Sequence, residues 1–577
     1  MTATLTRTRL LASLLAVSAI VLVLIAAGGV VPGLFSDDSS DRPDEPTTEG
    51  TVGYVDGYWY DDELSVDDRD DAVLEDDELD AVVARSMARV EEIRNLTFED
   101  DVPVDVISRE EFQTEHDDIF VELSEDEQRK QNVTYEALFM VDRDTDAADE
   151  LEAMYGGSVD GYYAPSSDQI VLVSDNPETP ELDEVVLGHE LVHALQDQHY
   201  DLTSYDRETI DQDNAKNGLI EGDAVWVDTE YEQRCGDEWG CVLPADSDPD
   251  DFPELNWGIY MTLFQPYSDG PAYVDHLLET DDGWSAVDAA YDDPPTSSST
   301  VIHHEEREPA DTTVEDRSNE SWTPLEFDGE VARETTGEAT MVAMLGANAL
   351  SPDQQPSVIE SEALLTDDLG GFDYDQPYTD GWAGDELVTY IDATAEEPGA
   401  ADSGYVWETE WRSSEDAREF ATGYLELLDI HDAEPIEDRQ DSYVIDEAFP
   451  GAYYLERDGE TVTVVRAPSV AELDGIVDGA APAGEDTLER VSADDSADDD
   501  TASSDDDDGD DSLAGFAAPG AVVAISLALL VARARVTPRT RVSEPSRRSV
   551  SADSATSIAS EIDPGRVDDC RHGRGRA

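Results

Sequence analysis

The stretch Gly188-His189-Glu190-Leu191-Val192-His193 decides how this chain is interpreted. It lies within residues 182–198, where apolar residues recur at the spacing of an amphipathic helix. Residues four apart face the same way on a helix, so His189 and His193 can present their imidazoles to one metal ion. Glu190, one residue after His189, would lie beside an attacking water and take its proton. The spacing therefore predicts a zinc site with His189 and His193 as ligands and Glu190 as general base.

A catalytic zinc ion needs a third protein ligand, and the sequence offers two. Glu221 lies in a short apolar run, where a buried carboxylate requires a partner, and a carboxylate suits zinc beside two histidines. His199 is the alternative, because it follows His193 at the spacing of the longer His-Glu-x-x-His-x-x-Gly-x-x-His pattern. In that pattern a glycine turns the chain back, whereas this chain has Gln196 at that place and continues as a helix. We therefore predict Glu221 as the ligand, with His199 left open.

A zinc site of this kind that hydrolyses peptide bonds also needs a hydrogen-bond donor, which stabilises the oxyanion of the tetrahedral intermediate. His303, in the segment Val301-Ile302-His303-His304-Glu305, is our first candidate for this donor. Tyr205 is a second candidate.

Several motifs together resemble a known family. They are residues 189–199, Glu221-Gly222-Asp223-Ala224, the segment before His303, Gly381-Trp382-Ala383-Gly384-Asp385 and residues 411–420. The chain resembles, over about residues 80–475, a family of secreted zincin-type metallopeptidase-like proteins of haloarchaea and some bacteria. The resemblance implies a gluzincin-like fold with Glu221 as third zinc ligand.

Composition indicates the solvent in which the chain folds. There are 141 Asp and Glu against 33 Lys and Arg, a formal net charge of -108. Such self-repulsion opposes a compact state at ordinary ionic strength. In molar salt the Debye length is about 3 Å, which screens it. Because 39% of the residues are hydrophobic and fall in patterned segments, we predict a folded halophilic protein rather than a disordered one. The main body lacks a basic stripe, so nucleic acid is not an expected partner.

Both ends of the chain predict a membrane. Arg7 and Arg9 precede an apolar run over residues 10–27, which is typical of an export signal or an uncleaved span. Residues 513–532 are uncharged and are followed by Arg533 and Arg535, which predicts a transmembrane helix with a basic cytoplasmic tail. This end resembles the anchors of haloarchaeal surface glycoproteins.

Further signals agree with an exterior location. Asn95, Asn132 and Asn319 each begin a glycosylation triplet. Cys235 and Cys241 flank a five-residue loop that a disulfide could close outside the cell. We therefore predict a cell-surface protein, anchored by its C-terminal helix, with the main domain outside.

The fold class predicted from these patterns is α+β: a zincin-like catalytic domain with a mixed sheet and an active-site helix, and a smaller C-terminal α+β region. An edge strand around residues 170–173 would hold an extended peptide. The predicted segments are a signal or membrane segment (1–36), an acidic loop-like segment (37–78), the catalytic domain (79–325), the C-terminal region (326–478), an acidic disordered stalk (479–512), the transmembrane helix (513–532) and the tail (533–577).

The predicted function is zinc-dependent hydrolysis of peptide or protein substrates at the cell surface. The alternative is a non-enzymatic envelope protein in which zinc is structural. Coordination separates the two, because a structural site closes with four protein ligands and a catalytic site keeps a position for water.

Overall fold

The computed structural model describes residues 42–488, with gaps at 68, 70–71, 110, 113–122, 157–160, 175, 178, 237, 245–254, 281–282, 328, 352–354, 367–370 and 396–401. The predicted segments 1–36, 513–532 and 533–577 lie outside the described residues. Within the described part of the chain, no helix is both long enough and apolar enough to cross a bilayer.

The first part of the described chain has little regular structure and packs against the body. It contains the short hairpin β1 (Tyr54–Val55) and β2 (Tyr58–Trp59) and leads into helix α1 (Asp76–Arg94). Glu75 and Glu78 form a capping box at the start of α1, which begins at Asp76. The Glu91 carboxylate accepts hydrogen bonds from the backbone N–H of Gly53 and of Phe98, which holds the hairpin on α1.

A small mixed sheet lies beside the helices α2 (Glu125–Ala137) and α3 (Ala147–Gly156). Its strands are β3 (Val104–Ser108), β4 (Gly161–Ala164) and β5 (Gln169–Ser174). Their order is β3-β5-β4, with β3 parallel and β4 antiparallel to β5. The prediction of an edge strand at residues 170–173 is therefore wrong, because β5 is the central strand. Its continuous apolar run follows from burial of both faces, because Ile170 and Leu172 belong to one hydrophobic cluster and Val171 and Val173 to another. Strand β4 is the edge strand on the opposite side from β3.

A series of α-helices follows along the chain. They are α4 (Glu184–Tyr200), α5 (Ile210–Arg234), α6 (Trp257–Leu278), α7 (Trp284–Asp292) and α8 (Ser298–His303). Asp183 caps α4 by accepting hydrogen bonds from the backbone N–H of Val185 and Val186. Buried side chains from α1, α4 and α5 share one hydrophobic core, and Leu187, Leu191 and Leu219 are among its members.

The C-terminal region is built on an antiparallel sheet. Its strands are β6 (Trp322–Pro324), β9 (Arg333–Glu334), β10 (Trp382–Asp392), β11 (Ser403–Trp411), β12 (Glu434–Pro435), β13 (Ser442–Ile445), β14 (Gly451–Asp458) and β15 (Thr461–Ala467). Their order is β12-β13-β14-β15-β11-β10-β6, and β9 also pairs with β10. A separate hairpin joins β7 (Glu326–Phe327) and β8 (Glu330–Val331). Its helices are α9 (Gly337–Gly346), α10 (Ser361–Leu364), α11 (Ser414–Ile430) and α12 (Val470–Ile476).

The predicted stalk begins too early. Ala480 and Ala481 are buried, and the Asp441 carboxylate accepts hydrogen bonds from the backbone N–H of Thr487 and of Leu488. Residues 479–488 therefore belong to the packed body, because a buried carboxylate fixes their backbone. The rest of the predicted stalk lies outside the described residues.

The fold is mixed α+β, as predicted. Cys235 and Cys241 form the predicted disulfide. The loop that it closes lies directly after α5 and brings Trp239 onto the ring of Tyr231.

Candidate metal centre

Three side chains with metal-binding atoms meet between helices α4 and α5. The Nε2 atoms of His189 and His193 lie 3.1 Å apart. Each of these nitrogens lies 3.4 Å from Oε2 of Glu221. All three side chains are nearly inaccessible to solvent; His189, the most exposed, retains 6% of its accessible surface.

The spacing of these three atoms fits a zinc ion. Bonds of about 2.0–2.1 Å to a tetrahedral zinc place neighbouring ligand atoms about 3.3–3.4 Å apart. The observed separations of 3.1, 3.4 and 3.4 Å match that edge length. In addition, Oε2 of Glu221 is buried and has no hydrogen-bond partner among the described residues. Buried polar atoms are nearly always satisfied, so this oxygen points to a bound cation.

A close crossing of helices α5 and α6 fixes the position of Glu221. Gly222 on α5 meets Gly270 on α6 so tightly that a Cβ at Gly222 would lie 2.4 Å from the backbone of Gly270. Only glycine allows this approach, and it places the turn of α5 that carries Glu221 against α6. Helix α5 also packs along α4, which brings Glu221 to the two histidines.

The other end of α4 is fixed by a buried charge cluster. The Glu184 carboxylate, at the first residue of the helix, receives hydrogen bonds from Arg85 and Arg89 of α1 and from the Tyr231 hydroxyl of α5. The backbone N–H of Val242, beside the disulfide, also donates to it. A buried carboxylate with several charged donors is costly to disturb, so this cluster holds α1, α4 and α5 in one arrangement.

Each histidine has a partner on its other ring nitrogen. Nδ1 of His189 lies 2.8 Å from Oδ2 of Asp228, and Nδ1 of His193 lies 2.9 Å from Oε1 of Gln196. Both partners accept, so the proton of each neutral ring lies on Nδ1 and the lone pair lies on Nε2, at the centre of the site. The rings are thus held in the tautomer that a metal requires.

Gln196 is held in turn by a second layer of contacts. Its amide group donates to the Ile220 carbonyl oxygen at 3.0 Å and lies 3.3 Å from Oδ2 of Asp223. Asp223 also accepts a hydrogen bond from the Tyr291 hydroxyl and pairs with the buried Arg94. The orientation of His193 therefore depends on groups from four different segments.

Glu190 faces the edge strand β4. Its Oε2 accepts a hydrogen bond from the backbone N–H of Tyr163 at 2.8 Å. A Cβ at Gly161, on the same strand, would lie 3.9 Å from Cγ of Glu190, so the missing side chain leaves room beside the carboxylate. The general base that the sequence predicts is therefore buried and directed at the strand nearest the metal ligands.

The three side chains shift one another's pKa values. Burial opposes a charge on Glu221, but the facing histidines outweigh it and lower the pKa of its carboxyl to about 2. Burial also opposes a charge on His189, yet the carboxylates of Asp228 and Glu221 raise the pKa of its ring well above the ordinary value. The ligand set is thus negatively charged once its histidines lose their protons, which is the state that binds a divalent cation.

The remaining predicted residues lie elsewhere. His199 lies at the end of α4, and its Nε2 is 2.9 Å from the carbonyl oxygen of Thr97. Of the two alternatives for the third ligand, the structure brings Glu221 to the histidines. His303 contacts Glu338 of α9, with Nε2 and Oε1 2.9 Å apart. The Tyr205 hydroxyl donates to the Tyr291 carbonyl oxygen. The oxyanion role predicted for His303 stays a prediction.

Sequence reasoning missed Asp228 and Gln196, the partners of the two histidines. A signal for Asp228 exists, because it follows Glu221 by seven residues, about two helical turns, and shares its face. Gln196 follows His193 by three residues and lies on the same face of α4. In a chain with so many acidic residues, such spacings do not stand out.

Comparisons with known proteins reach only part of the chain. A domain family of unknown function, DUF8575, matches residues 323–477, which correspond to most of the C-terminal region. No curated protein and no solved structure matches the chain. The matched region does not contain His189, His193 or Glu221, so the metal centre rests on its own geometry.

Proposed function

We propose that this protein is a zinc-dependent peptidase whose metal is held by His189, His193 and Glu221. The observation that carries the proposal is the set of separations, 3.1, 3.4 and 3.4 Å, which matches the edges of a tetrahedral zinc site. Among the described residues only these three ligand groups come together there, which leaves the fourth position for water or substrate. A zincin-like fold and a location at the cell surface are parts of the same proposal.

When bound, zinc supplies Lewis-acid polarisation of a peptide carbonyl and of the attacking water. Glu190 takes a proton from that water and returns it to the leaving amine, as a carboxylate at hydrogen-bonding distance from both can do. The backbone N–H of Tyr163 holds the carboxylate in place during both transfers. Asp228 and Gln196 keep the histidine lone pairs directed at the metal.

The edge strand β4 supplies the binding surface for a peptide. Among the described strands β4 pairs only with β5, and its four residues are buried, so an extended substrate pairs with its other edge only after the groups that cover it move aside. Tyr163 donates to Glu190 from that edge, and by the alternation of a strand Gly161 presents its backbone groups to the same side. A peptide paired there would pass beside Glu190. We leave His303 out of this mechanism, because both of its ring nitrogens face carboxylates.

The test compares three forms of the full-length protein, purified in molar KCl: wild type, Glu190→Gln and Glu208→Gln. Glu208 is exposed, so its variant makes the same change of charge away from the centre. We expect one zinc per chain in all three, and chelator-sensitive cleavage of a peptide library by wild type and Glu208→Gln only. Cleavage by Glu190→Gln would refute the mechanism. One zinc with no cleavage by any form would favour an envelope protein with a structural metal.

A further inference from the structure

The three glycosylation triplets of the sequence lie in different local structures. They begin at Asn95, Asn132 and Asn319. An N-linked sugar is bulky, and its acceptor triplet ordinarily lies on a surface loop, where a transferase reaches both the Asn and the hydroxyl residue two positions later. Backbone conformation and the burial of these two residues therefore separate acceptors from triplets that occur by chance.

The triplet at Asn319 has the structure of an acceptor. It lies just before strand β6, outside any helix or strand, and both Asn319 and Ser321 are exposed. The Ser321 backbone N–H donates to Oδ1 of Asn319 at 2.8 Å, an Asx turn that brings the first and third residues together. A Cβ at Gly475 would lie 3.2 Å from Nδ2 of Asn319, so the missing side chain keeps space beside the atom that takes the sugar.

The triplet at Asn95 also lies at the surface. Asn95 is exposed and ends helix α1 in the left-handed conformation, with φ 57° and ψ 39°, which Asn adopts more readily than most residues. Its backbone N–H donates to the Glu91 carbonyl oxygen, so the helix end is completed without the Asn side chain. Leu96 and Thr97 follow outside any helix or strand.

The triplet at Asn132 lies within helix α2. Residues two apart on a helix do not face each other, so Asn132 and Thr134 lie on different sides of α2. Thr134 is 2% exposed, which places its hydroxyl inside the protein. Oδ1 of Asn132 accepts a hydrogen bond from the backbone N–H of Ala147 at 2.9 Å, at the first residue of α3. The Asn132 side chain therefore joins two helices.

We propose that Asn95 and Asn319 carry N-linked sugars and that Asn132 does not. The proposal rests on the cell-surface location that is part of the proposed function, and it is independent of the metal. The co-reactant is an oligosaccharide bound through its anomeric carbon to a lipid phosphate, and a membrane-bound transferase of the host joins it to the chain. Nδ2 of the Asn forms a bond to the anomeric carbon as the bond from that carbon to the phosphate oxygen breaks. The lipid phosphate leaves with the electron pair, and Nδ2 loses one proton.

Tandem mass spectrometry of the full-length protein tests the assignment. The protein is produced in a haloarchaeal host that glycosylates its own surface proteins, and each triplet is recovered in a separate peptide. We expect the mass of a sugar on the peptides of Asn95 and Asn319 and none on the peptide of Asn132. Ser321→Ala should remove the sugar from Asn319 alone, whereas Ser321→Thr, which keeps a hydroxyl, should retain it. Ser321 is exposed, so both variants should fold.

Three results would overturn the proposal: a sugar on Asn132, no sugar on either Asn95 or Asn319, or a sugar on Asn319 that persists in Ser321→Ala. Digestion of intact cells with an added protease separates the causes of failure. A chain that the protease cannot reach would refute the surface location and this proposal with it. A chain that is cleaved but carries no sugar would refute this proposal alone, and neither result concerns the zinc-dependent cleavage of peptides.

Discussion

Replacing Asp228 should weaken zinc binding, although Asp228 is not itself one of the proposed zinc ligands. Its Oδ2 lies 2.8 Å from Nδ1 of His189, and its side chain is 17% exposed, so solvent screens the interaction only in part. Partners of this kind contribute roughly tenfold to hundredfold to metal affinity, or about 1.4–2.7 kcal/mol. Asp228→Asn keeps an acceptor oxygen and loses the charge, so we expect about tenfold. Asp228→Ala loses both, so we expect a loss nearer the upper end.

The assay is competition for zinc with a chromophoric chelator, in molar KCl at constant pH. His199→Ala serves as the control, because that ring bonds the Thr97 carbonyl oxygen and should leave the affinity unchanged. Near-UV circular dichroism checks that each variant is folded. If Asp228→Ala bound zinc within twofold of wild type, the assignment of Asp228 as the residue that positions His189 would be refuted.

Three further predictions concern stability, measured by denaturant unfolding in molar KCl. Replacing Cys235 and Cys241 by Ser should cost about 2 kcal/mol, the loop-closure value for a seven-residue ring, and an unchanged midpoint would contradict it. Burial raises the pKa of Glu91 to about 7, so at intermediate pH the folded chain holds a proton that the unfolded chain releases. The contribution of Glu91 to the free energy of unfolding therefore falls by about 3 kcal/mol as pH rises from 4.5 to 7. Glu91→Gln should flatten the slope of stability against pH. A slope equal to that of wild type would count against the assignment. Gly222→Ala should lower the free energy of unfolding by about 1–3 kcal/mol and also weaken zinc binding, because its Cβ would clash with the backbone of Gly270. Unchanged stability together with unchanged zinc affinity would show that the two helices can separate.

Much of the fold is predictable where the signal is local. The predicted helix over residues 182–198 corresponds to α4, and the alternating pattern of residues 405–411 and the helical pattern of residues 415–428 correspond to β11 and α11. The Asp458-Gly459 turn joins β14 to β15, with Gly459 at positive φ. These elements carry their own periodicity and turn residues, so tertiary packing only confirms what the local sequence prefers.

The failures come from long-range pairing and from residues that break local rules. Whether β5 or β4 lies at the edge depends on β3, whose residues pair with residues 66 positions further along the chain. Helix α6 contains Pro266 and Pro271, which ordinarily end a helix, so the sequence does not predict it. Helix α6 nevertheless supplies Gly270, the residue whose backbone contacts Gly222.

The candidate metal centre likewise contains residues that the sequence predicts and residues that it does not. The two histidines and Glu190 are predictable because they share one helix, and Glu221 because its apolar neighbours indicate a buried face. Asp228 and Gln196 are not, since their value depends on which ring nitrogen each one meets. The sequence predicts no role for the motif Gly381–Asp385. In the structure Asp385 is buried and accepts hydrogen bonds from the indole N–H groups of Trp382 and Trp407 and from the backbone at the start of α9.

The contact between Gly222 and Gly270 has a consequence for how this protein responds to dilution of salt. Most of its surface charge is of one sign, so lowering the ionic strength pushes its segments apart. Backbone touching backbone carries no net charge, and its strength does not depend on screening. As salt is withdrawn, the periphery should loosen first, while the spacing between α5 and α6 persists. The candidate metal centre, whose geometry depends on that spacing, would then be among the last parts of the molecule to lose its shape.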